Sequence, residues 1–156
     1  METASLSEIK KELKELSPQQ LQDVIARLAR FKKENKELLH YLLFEAVDEQ
    51  VFIQNVKEEI DEQFRHLNRS AGYLAKKTVR KTLQTTNKYI RFSGSKETEM
   101  ELLLYFCGKM KKLGLQTGSG RTISNLYQRQ IQRIQKVWSS LHEDLQYDYR
   151  EAIDNL

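Results

Sequence analysis

Residues 70–92 read SAGYLAKKTVRKTLQTTNKYIRF, and this stretch is the clearest guide to the fold. Its apolar and small side chains recur every three or four residues, which is the spacing of one face of an α-helix. The members of this stripe are Ala75, Val79, Leu83, Thr86 and Ile90. Basic side chains fall on the opposite side, and the stretch contains no acidic residue. It therefore predicts an amphipathic helix with one buried face and one basic face.

The rest of the chain repeats this helical rhythm. Capping residues mark helix starts at Ser5, Ser17 and Asp48, and Gly94 and Gly114 mark helix ends. One proline and six glycines among 156 residues are too few for the turns of a β-sandwich or barrel. After a polar break at residues 33–35, an apolar helix begins at Leu38. The predicted helices cover residues 5–16, 17–32, 38–46, 48–67, 70–92, 96–113 and 122–156, the last being one long helix or two with a kink near residues 139–140.

We predict an all-α fold, a compact bundle of about seven helices arranged as helical hairpins in a single domain over residues 1–156. Residues 38–44 and 102–106 are apolar nearly all round, so we expect the bundle to pack around segments 38–46 and 100–113 as central, surrounded helices, with an exposed partner groove as the alternative. The layout resembles HEAT-type helical pairs, which makes a short HEAT-like stack the alternative, although no fixed repeat is present. The LSPQQL stretch at residues 16–21 and the acidic-then-basic layout resemble helical proteins of bacteria, a resemblance that implies no function.

Three features of the sequence bear on location. No apolar run approaches the roughly 20 residues that span a bilayer, so we expect no membrane segment. The chain opens with Met1, Glu2 and Thr3 rather than with a basic and then apolar signal segment. Its single cysteine, Cys107, excludes an internal disulfide and fits a reducing compartment. We therefore expect a cytoplasmic protein.

Charge is segregated along the chain, although the net charge is only +4. Residues 34–64 carry nine acids and two bases, whereas residues 65–92 carry eight bases and no acid. On the helix predicted over residues 70–92, the bases form a basic ridge opposite the apolar stripe, with Tyr73 among them and Gln84 alongside. The basic ridge consists of Lys77, Arg80, Lys81, Lys88 and Arg91. The last predicted helix repeats the pattern more weakly with Arg129, Arg133 and Lys136.

Three interpretations of the basic ridge compete. The acidic face of the preceding helix, with Glu58, Glu59, Asp61 and Glu62, could neutralise it. The ridge could instead bind nucleic acid, with Lys and Arg on phosphates and Tyr73 stacking on a base. Or it could recognise a protein partner, including a second copy of the chain, through complementary charge. We expect a non-catalytic binding or scaffold protein that recognises a protein partner through Tyr73, the ridge, Arg129 and Arg133, with nucleic-acid binding as the alternative.

Motifs for chemistry are weak, so an enzyme is the least favoured function and we expect no cofactor, metal or small-molecule substrate. Glu62 and His66 lie four residues apart on one helix face, but a metal site needs three or four converging ligands. Cys107 lies in the most apolar segment, where burial opposes the reactive thiolate, so we expect a core residue. An enzyme would need a pocket that joins at least two of Glu62, His66, Cys107 and His142.

The LQTGSGRT stretch at residues 115–122 superficially resembles a phosphate-binding loop. It has Leu115 in place of the first glycine of that motif and Arg121 in place of its lysine. The motif also requires a preceding strand, so that the loop leads from a sheet into a helix, whereas the preceding segment here is helical. We therefore expect a connector between two helices.

Overall fold

A computed structural model describes residues 2–156, and within them the chain forms nine α-helices and no strand. The fold is all-α, as the hydrophobic rhythm predicts. The helices are α1 (Leu6–Glu15), α2 (Pro18–Phe31), α3 (Lys33–His40), α4 (Glu49–Arg65), α5 (Gly72–Ser93), α6 (Lys96–Lys112), α7 (Leu115–Gly118), α8 (Arg121–Ser139) and α9 (Glu143–Asp154), with a π-helical turn at Tyr41–Glu45. None of the described helices is long and apolar enough to cross a bilayer.

The chain divides into two compact units, residues 1–44 and 45–156. The first contains α1 to α3, of which α2 and α3 pack together. Both α1 and α2 begin with complete capping boxes, in which Ser5 pairs with Glu8 and Ser17 pairs with Gln20. These caps satisfy backbone N–H groups that have no partner within the helix. No residue of α1, α2 or α3 is buried.

The second unit is built around α6, which packs against α4, α5, α7 and α8. Leu102, Leu103 and Phe106 of α6 are fully buried, and the ring of Phe106 lies 5.8 Å from that of Phe64 on α4. This confirms the expectation that segment 100–113 is central. A polar cluster also joins the helices, because Thr98 donates a 2.6 Å hydrogen bond to the Glu49 carboxylate, which Ser93 also contacts.

Two helix ends in this unit depend on glycine. Gly94 (φ 67°) ends α5 and Gly114 (φ 66°) follows α6, both in the left-handed region that side chains with a Cβ disfavour. Because only Gly94 and Ser95 separate α5 from α6 and the two helices pack together, they run antiparallel. The start of α5 and the end of α6 therefore lie at the same end of the unit, where the Arg69 side chain bonds to the Leu113 carbonyl.

The prediction of a surrounded helix over residues 38–46 is wrong. Helix α3 starts earlier than predicted, at Lys33, because Lys32 is the only residue between α2 and α3. It ends at His40, and the π-helical turn follows. Leu42, Leu43 and Phe44 are 57%, 63% and 66% exposed. A segment that is apolar all round can be either buried or without a partner, and its composition does not distinguish the two.

Several boundaries differ from the predicted ones. The connector at residues 114–120 contains one helical turn, α7, and the last segment is two helices, with the break at residues 140–142. Helix α5 starts at Gly72 rather than Ser70, because the Ser70 hydroxyl bonds to Asn68 and leaves the helix without a side-chain cap. A single domain, the hairpin arrangement and a HEAT-like stack stay predictions.

Candidate binding surface

Helix α5 carries the candidate surface on the side opposite its buried face. Ala75, Val79, Thr86 and Ile90 are buried as the stripe predicts, whereas Leu83 is half-buried and Thr82 takes the central position. Thr82 tolerates full burial because its hydroxyl donates a 2.9 Å hydrogen bond to the Thr78 carbonyl. The buried face thus fixes the rotation of α5 and turns Lys77, Arg80 and Lys81 to solvent.

The amino-terminal half of this surface forms a shallow depression of about 470 Å³. We call it the basic patch, and it is lined by Tyr73, Lys76, Lys77, Arg80, Lys81 and Gln84. The Tyr73 ring is 71% exposed. From Tyr73 to Gln84 the patch extends about 16 Å at the usual rise of an α-helix.

Within residues 2–156, the cations of the basic patch form no ion pair. Among residues 2–156, no carboxylate lies within 4.0 Å of Lys76, Lys77, Arg80 or Lys81. Lys77 and Lys81 are four residues apart, so their like charges repel by about 0.2–0.5 kcal/mol. The amino-terminal end of α5 has no acidic residue in its first turn, and its helix dipole adds positive potential at the same place.

The carboxylates of α4 bind elsewhere. Glu59 accepts a 2.7 Å hydrogen bond from the Tyr89 hydroxyl, and Asp61 forms a 2.9 Å ion pair with Lys109 of α6. Glu62 pairs with Arg65 and His66 of its own helix. In the described chain these acids therefore leave the basic patch uncompensated, contrary to the neutralisation interpretation.

The register between α4 and α5 explains why the carboxylates of α4 do not reach the basic patch. Gln63 donates a hydrogen bond to Thr85, and Glu59 contacts Tyr89, so the two helices run antiparallel with residue 63 level with 85 and 59 level with 89. By this register Arg65, the last residue of α4, is level with residue 83. The cations of the basic patch, at residues 76–81, therefore lie beyond the end of α4 and beyond the reach of its carboxylates.

The carboxyl-terminal half of the basic ridge is different. Lys88 is half-buried, and its ammonium lies 4.7 Å from the centroid of the Tyr89 ring and 6.0 Å from that of Phe92. Such cation–π contacts hold the charge against the protein surface. Arg91 is exposed but also interacts with the protein. The structure thus divides the predicted ridge into an open half and an occupied half.

The two arginines predicted on the last helix also differ from each other. Arg129 is exposed on α8. The Arg133 guanidinium donates a 2.9 Å hydrogen bond from Nε to Glu99 of α6 and a 2.6 Å one from Nη1 to Asn87 of α5. Arg133 therefore joins three helices, and its donors are used within the unit.

Sequence reasoning missed Lys76, which lines the patch but belongs to neither the apolar stripe nor the predicted ridge. Its stem is half-buried, as is common for a lysine at the edge of a helix face. The spacing contained a signal, since Lys76 lies three residues after Tyr73 and four before Arg80.

Of the four groups considered for chemistry, one pair is in contact. Glu62 and His66 touch, with Oε1 and Nε2 3.2 Å apart, and among the described residues no cluster of three metal-ligating side chains exists. Cys107 is fully buried in α6, as expected for a core residue, and burial raises the pKa of its thiol to about 12. His142 caps α9 at the surface. The loop at residues 115–122 joins two helices, as expected.

The buried thiol predicts a loss of stability at high pH. Folding favours the neutral form of the Cys107 thiol, because burial raises its pKa above the value of about 8.5 in the unfolded chain. The free energy of unfolding is therefore unaffected by this group below about pH 8.5 and decreases as the pH rises from there towards 12. We expect the free energy of unfolding to fall by up to about 1.4 kcal/mol per pH unit between roughly pH 9 and 10, below the pH at which tyrosines of the unfolded chain titrate. Urea denaturation at several pH values measures it, and Cys107→Ala should flatten the slope in this window. An unchanged slope in that variant would exclude the thiol as its cause.

The basic patch can therefore attract an anionic group by charge, and the Tyr73 ring is exposed beside its cations. The groups available for recognition are lysine and arginine side chains on one face of a helix. Such a surface suits reversible binding. Comparison of the chain with protein families, curated proteins and solved structures finds no match.

Proposed function

We propose that this is a non-catalytic cytoplasmic binding protein that recognises an acidic surface of a protein partner through the basic patch. The observation that supports the proposal is four clustered cations with no carboxylate partner among residues 2–156. Charge complementarity of this kind sets the orientation and the association rate of a partner. The one cysteine, buried and unpaired, agrees with a reducing compartment.

The size of the patch favours a protein partner over nucleic acid. Its length of about 16 Å spans about three helical turns, which matches one acidic helix face or loop. A protein that makes about 6–10 phosphate contacts uses a similar number of cations, whereas the basic patch offers four. Exposed acids on α4, Glu58 and Glu62, would also repel a backbone that continued along α5. Single-stranded nucleic acid is a second candidate, because the Tyr73 ring is exposed and a base could stack on it.

A charge-reversal experiment tests the proposal. Fluorescence anisotropy of a labelled peptide of about ten glutamates, in about 50 mM salt, should report binding to the wild-type chain that weakens as salt rises. In the double variant Arg80→Glu/Lys81→Glu, affinity should fall at least about tenfold, since two attractive contacts become repulsive. The control Lys136→Glu/Arg150→Glu makes the same change of net charge at other exposed positions and should bind within about threefold of wild type.

Equal losses in both double variants would mean that net charge rather than the patch drives binding, and no binding by wild type would contradict the proposal outright. The second candidate predicts a different pattern. Single-stranded RNA would then bind more tightly than the peptide, and Tyr73→Ala would weaken RNA binding alone.

The same variant predicts a stability effect of opposite sign. Replacing Lys81 by glutamate places an acid four residues after Lys77, which turns a repulsive pair into an attractive one worth about 0.2–0.5 kcal/mol. Thermal unfolding of Arg80→Glu/Lys81→Glu should therefore give a melting temperature equal to or above that of wild type. A clear decrease would show that these cations stabilise the fold rather than serve binding.

A further inference from the structure

Unit one leaves the apolar faces of its helices uncovered. On α1, Leu6, Ile9 and Leu13 form one stripe and are 67%, 40% and 36% exposed. On α2, Leu28 and Phe31 are 56% and 77% exposed. Within residues 2–44, α1 packs extensively against neither α2 nor α3. Helix α1 is thus a well-capped amphipathic helix whose apolar face is not covered within residues 2–44, and α2 is covered on the side of α3 alone.

The packing of α2 against α3 creates a site that fits a helix. An open groove of about 270 Å³ runs between them, and it is lined by Ile25, Leu28, Ala29, Asn35, Leu38, Leu39 and Leu42. Its floor is fixed, because the Asn35 side chain donates a 2.9 Å hydrogen bond to the Leu28 carbonyl. A groove of this kind accepts an amphipathic helix with apolar side chains spaced three and four residues apart. Helix α1 presents that spacing.

The helix α1 of the same chain cannot enter this groove without breaking its own corner. Leu16 and Ser17 are both extended (ψ 144° and 159°), and Pro18 keeps the residue before it extended. The Ser17 N–H also donates a 2.8 Å hydrogen bond to Gln20, within the capping box of α2. The connection is therefore short and rigid, and it holds α1 away from the groove.

We propose that two copies of the chain form a symmetric dimer in which α1 of each copy packs into the α2–α3 groove of the other. Such an exchange is an isologous contact, in which the same two surfaces are used twice. It uses unit one and not the basic patch, so it is independent of the function proposed above. A unit of 44 residues is near the size at which oligomerisation is usually needed for a stable core.

The exposed apolar surface is large enough for this interface. The apolar side chains of residues 6–44 that are exposed by 36–77% leave on the order of 1,000 Å² accessible, and the α1 stripe and the groove account for roughly half of it. A standard interface buries about 800 Å² per partner, of which somewhat more than half is apolar.

Charge at the edges of the groove agrees with the same occupant. The depression that adjoins the groove has a rim of Arg30, Lys32, Lys33 and Lys36. On α1, Glu12 lies towards one edge of the apolar stripe and Lys10 towards the other, so the charges fit an orientation in which the Glu12 edge faces that rim.

Sedimentation equilibrium of the full chain tests the proposal. Over about 5–200 µM, wild type should be a dimer, and Leu6→Glu/Leu13→Glu should be a monomer with unchanged helix content, since neither residue is buried. The control Val47→Glu/Val51→Glu changes residues of unit two that are 89% and 54% exposed, and it should stay dimeric. A monomeric wild type, or a dimer that survives the α1 substitutions, would overturn the proposal.

Disulfide trapping distinguishes exchange from packing within one chain. In a Cys107→Ala background, a chain with Ile9→Cys is mixed with a tagged chain with Leu39→Cys. Under oxidising conditions a crosslinked pair of the two chains is expected on a non-reducing gel. If instead the doubly substituted single chain closes on itself as a monomer and the mixed chains do not crosslink, α1 packs in its own chain and the dimer is excluded.

Discussion

Truncation of Phe106 to alanine is expected to lower the free energy of unfolding of the second unit by about 3–5 kcal/mol. Phe106 is fully buried at the centre of α6, and its ring packs on Phe64, so the substitution removes apolar burial and leaves a cavity. Because α6 contacts four other helices, the surrounding side chains cannot all move inward to fill that cavity. Urea denaturation followed by circular dichroism measures the change.

Tyr147→Ala provides the matched control, since it truncates an aromatic side chain that is 79% exposed on α9. Its effect should stay within about 0.5 kcal/mol. If both variants lost the same stability, α6 would not be the centre of the unit.

Arg133→Ala should also be strongly destabilising, by about 1–3 kcal/mol. The substitution removes the 2.7 Å ion pair of Glu99, whose side chain is only 14% exposed, and leaves it the longer 3.4 Å pair with Lys96. It also removes the hydrogen bond to Asn87. We expect less than the full cost of a buried pair because the Arg133 side chain itself is 32% exposed and water can partly solvate the site. The melting temperature and urea midpoint report the loss.

Arg129→Ala is the control on the same helix. Arg129 is exposed, and its removal should change the free energy of unfolding by no more than about 0.5 kcal/mol. A double-mutant cycle of Arg133→Ala with Glu99→Ala should give a coupling energy well above zero. Additive effects in that cycle would contradict the role of the ion pair.

The sequence patterns predict the secondary structure of this protein better than its packing. Cap residues and apolar spacing locate α1, α2 and α4 nearly to the residue, because both report on local backbone chemistry. The burial of Cys107 and of Leu102 and Leu103 also follows from an apolar run inside a helix. Residues 42–44 have a similar run and are exposed, because burial depends on the elements that fold against a segment and not on the segment alone.

The candidate site was predicted in part for the same reason. The rotation of α5 follows from its apolar stripe, so Lys77, Arg80 and Lys81 could be placed on the solvent side from spacing alone. Spacing alone could not predict which cations have partners, because a contact such as that between Arg133 and Glu99 joins residues 34 positions apart. The freedom of the basic patch depends on the register of α4 against α5, which is set by tertiary contacts such as that between Gln63 and Thr85.

The most direct test of the central claim is to locate the bound acidic peptide on the protein by NMR. In a titration of the ¹⁵N-labelled chain with the oligo-glutamate peptide, amide resonances of residues 73–84 should shift together and saturate. Resonances of the carboxyl-terminal half of α5, from Lys88 onward, should move little. Shifts spread evenly over all exposed cations, or confined to helices other than α5, would contradict the assignment of the basic patch as the binding surface.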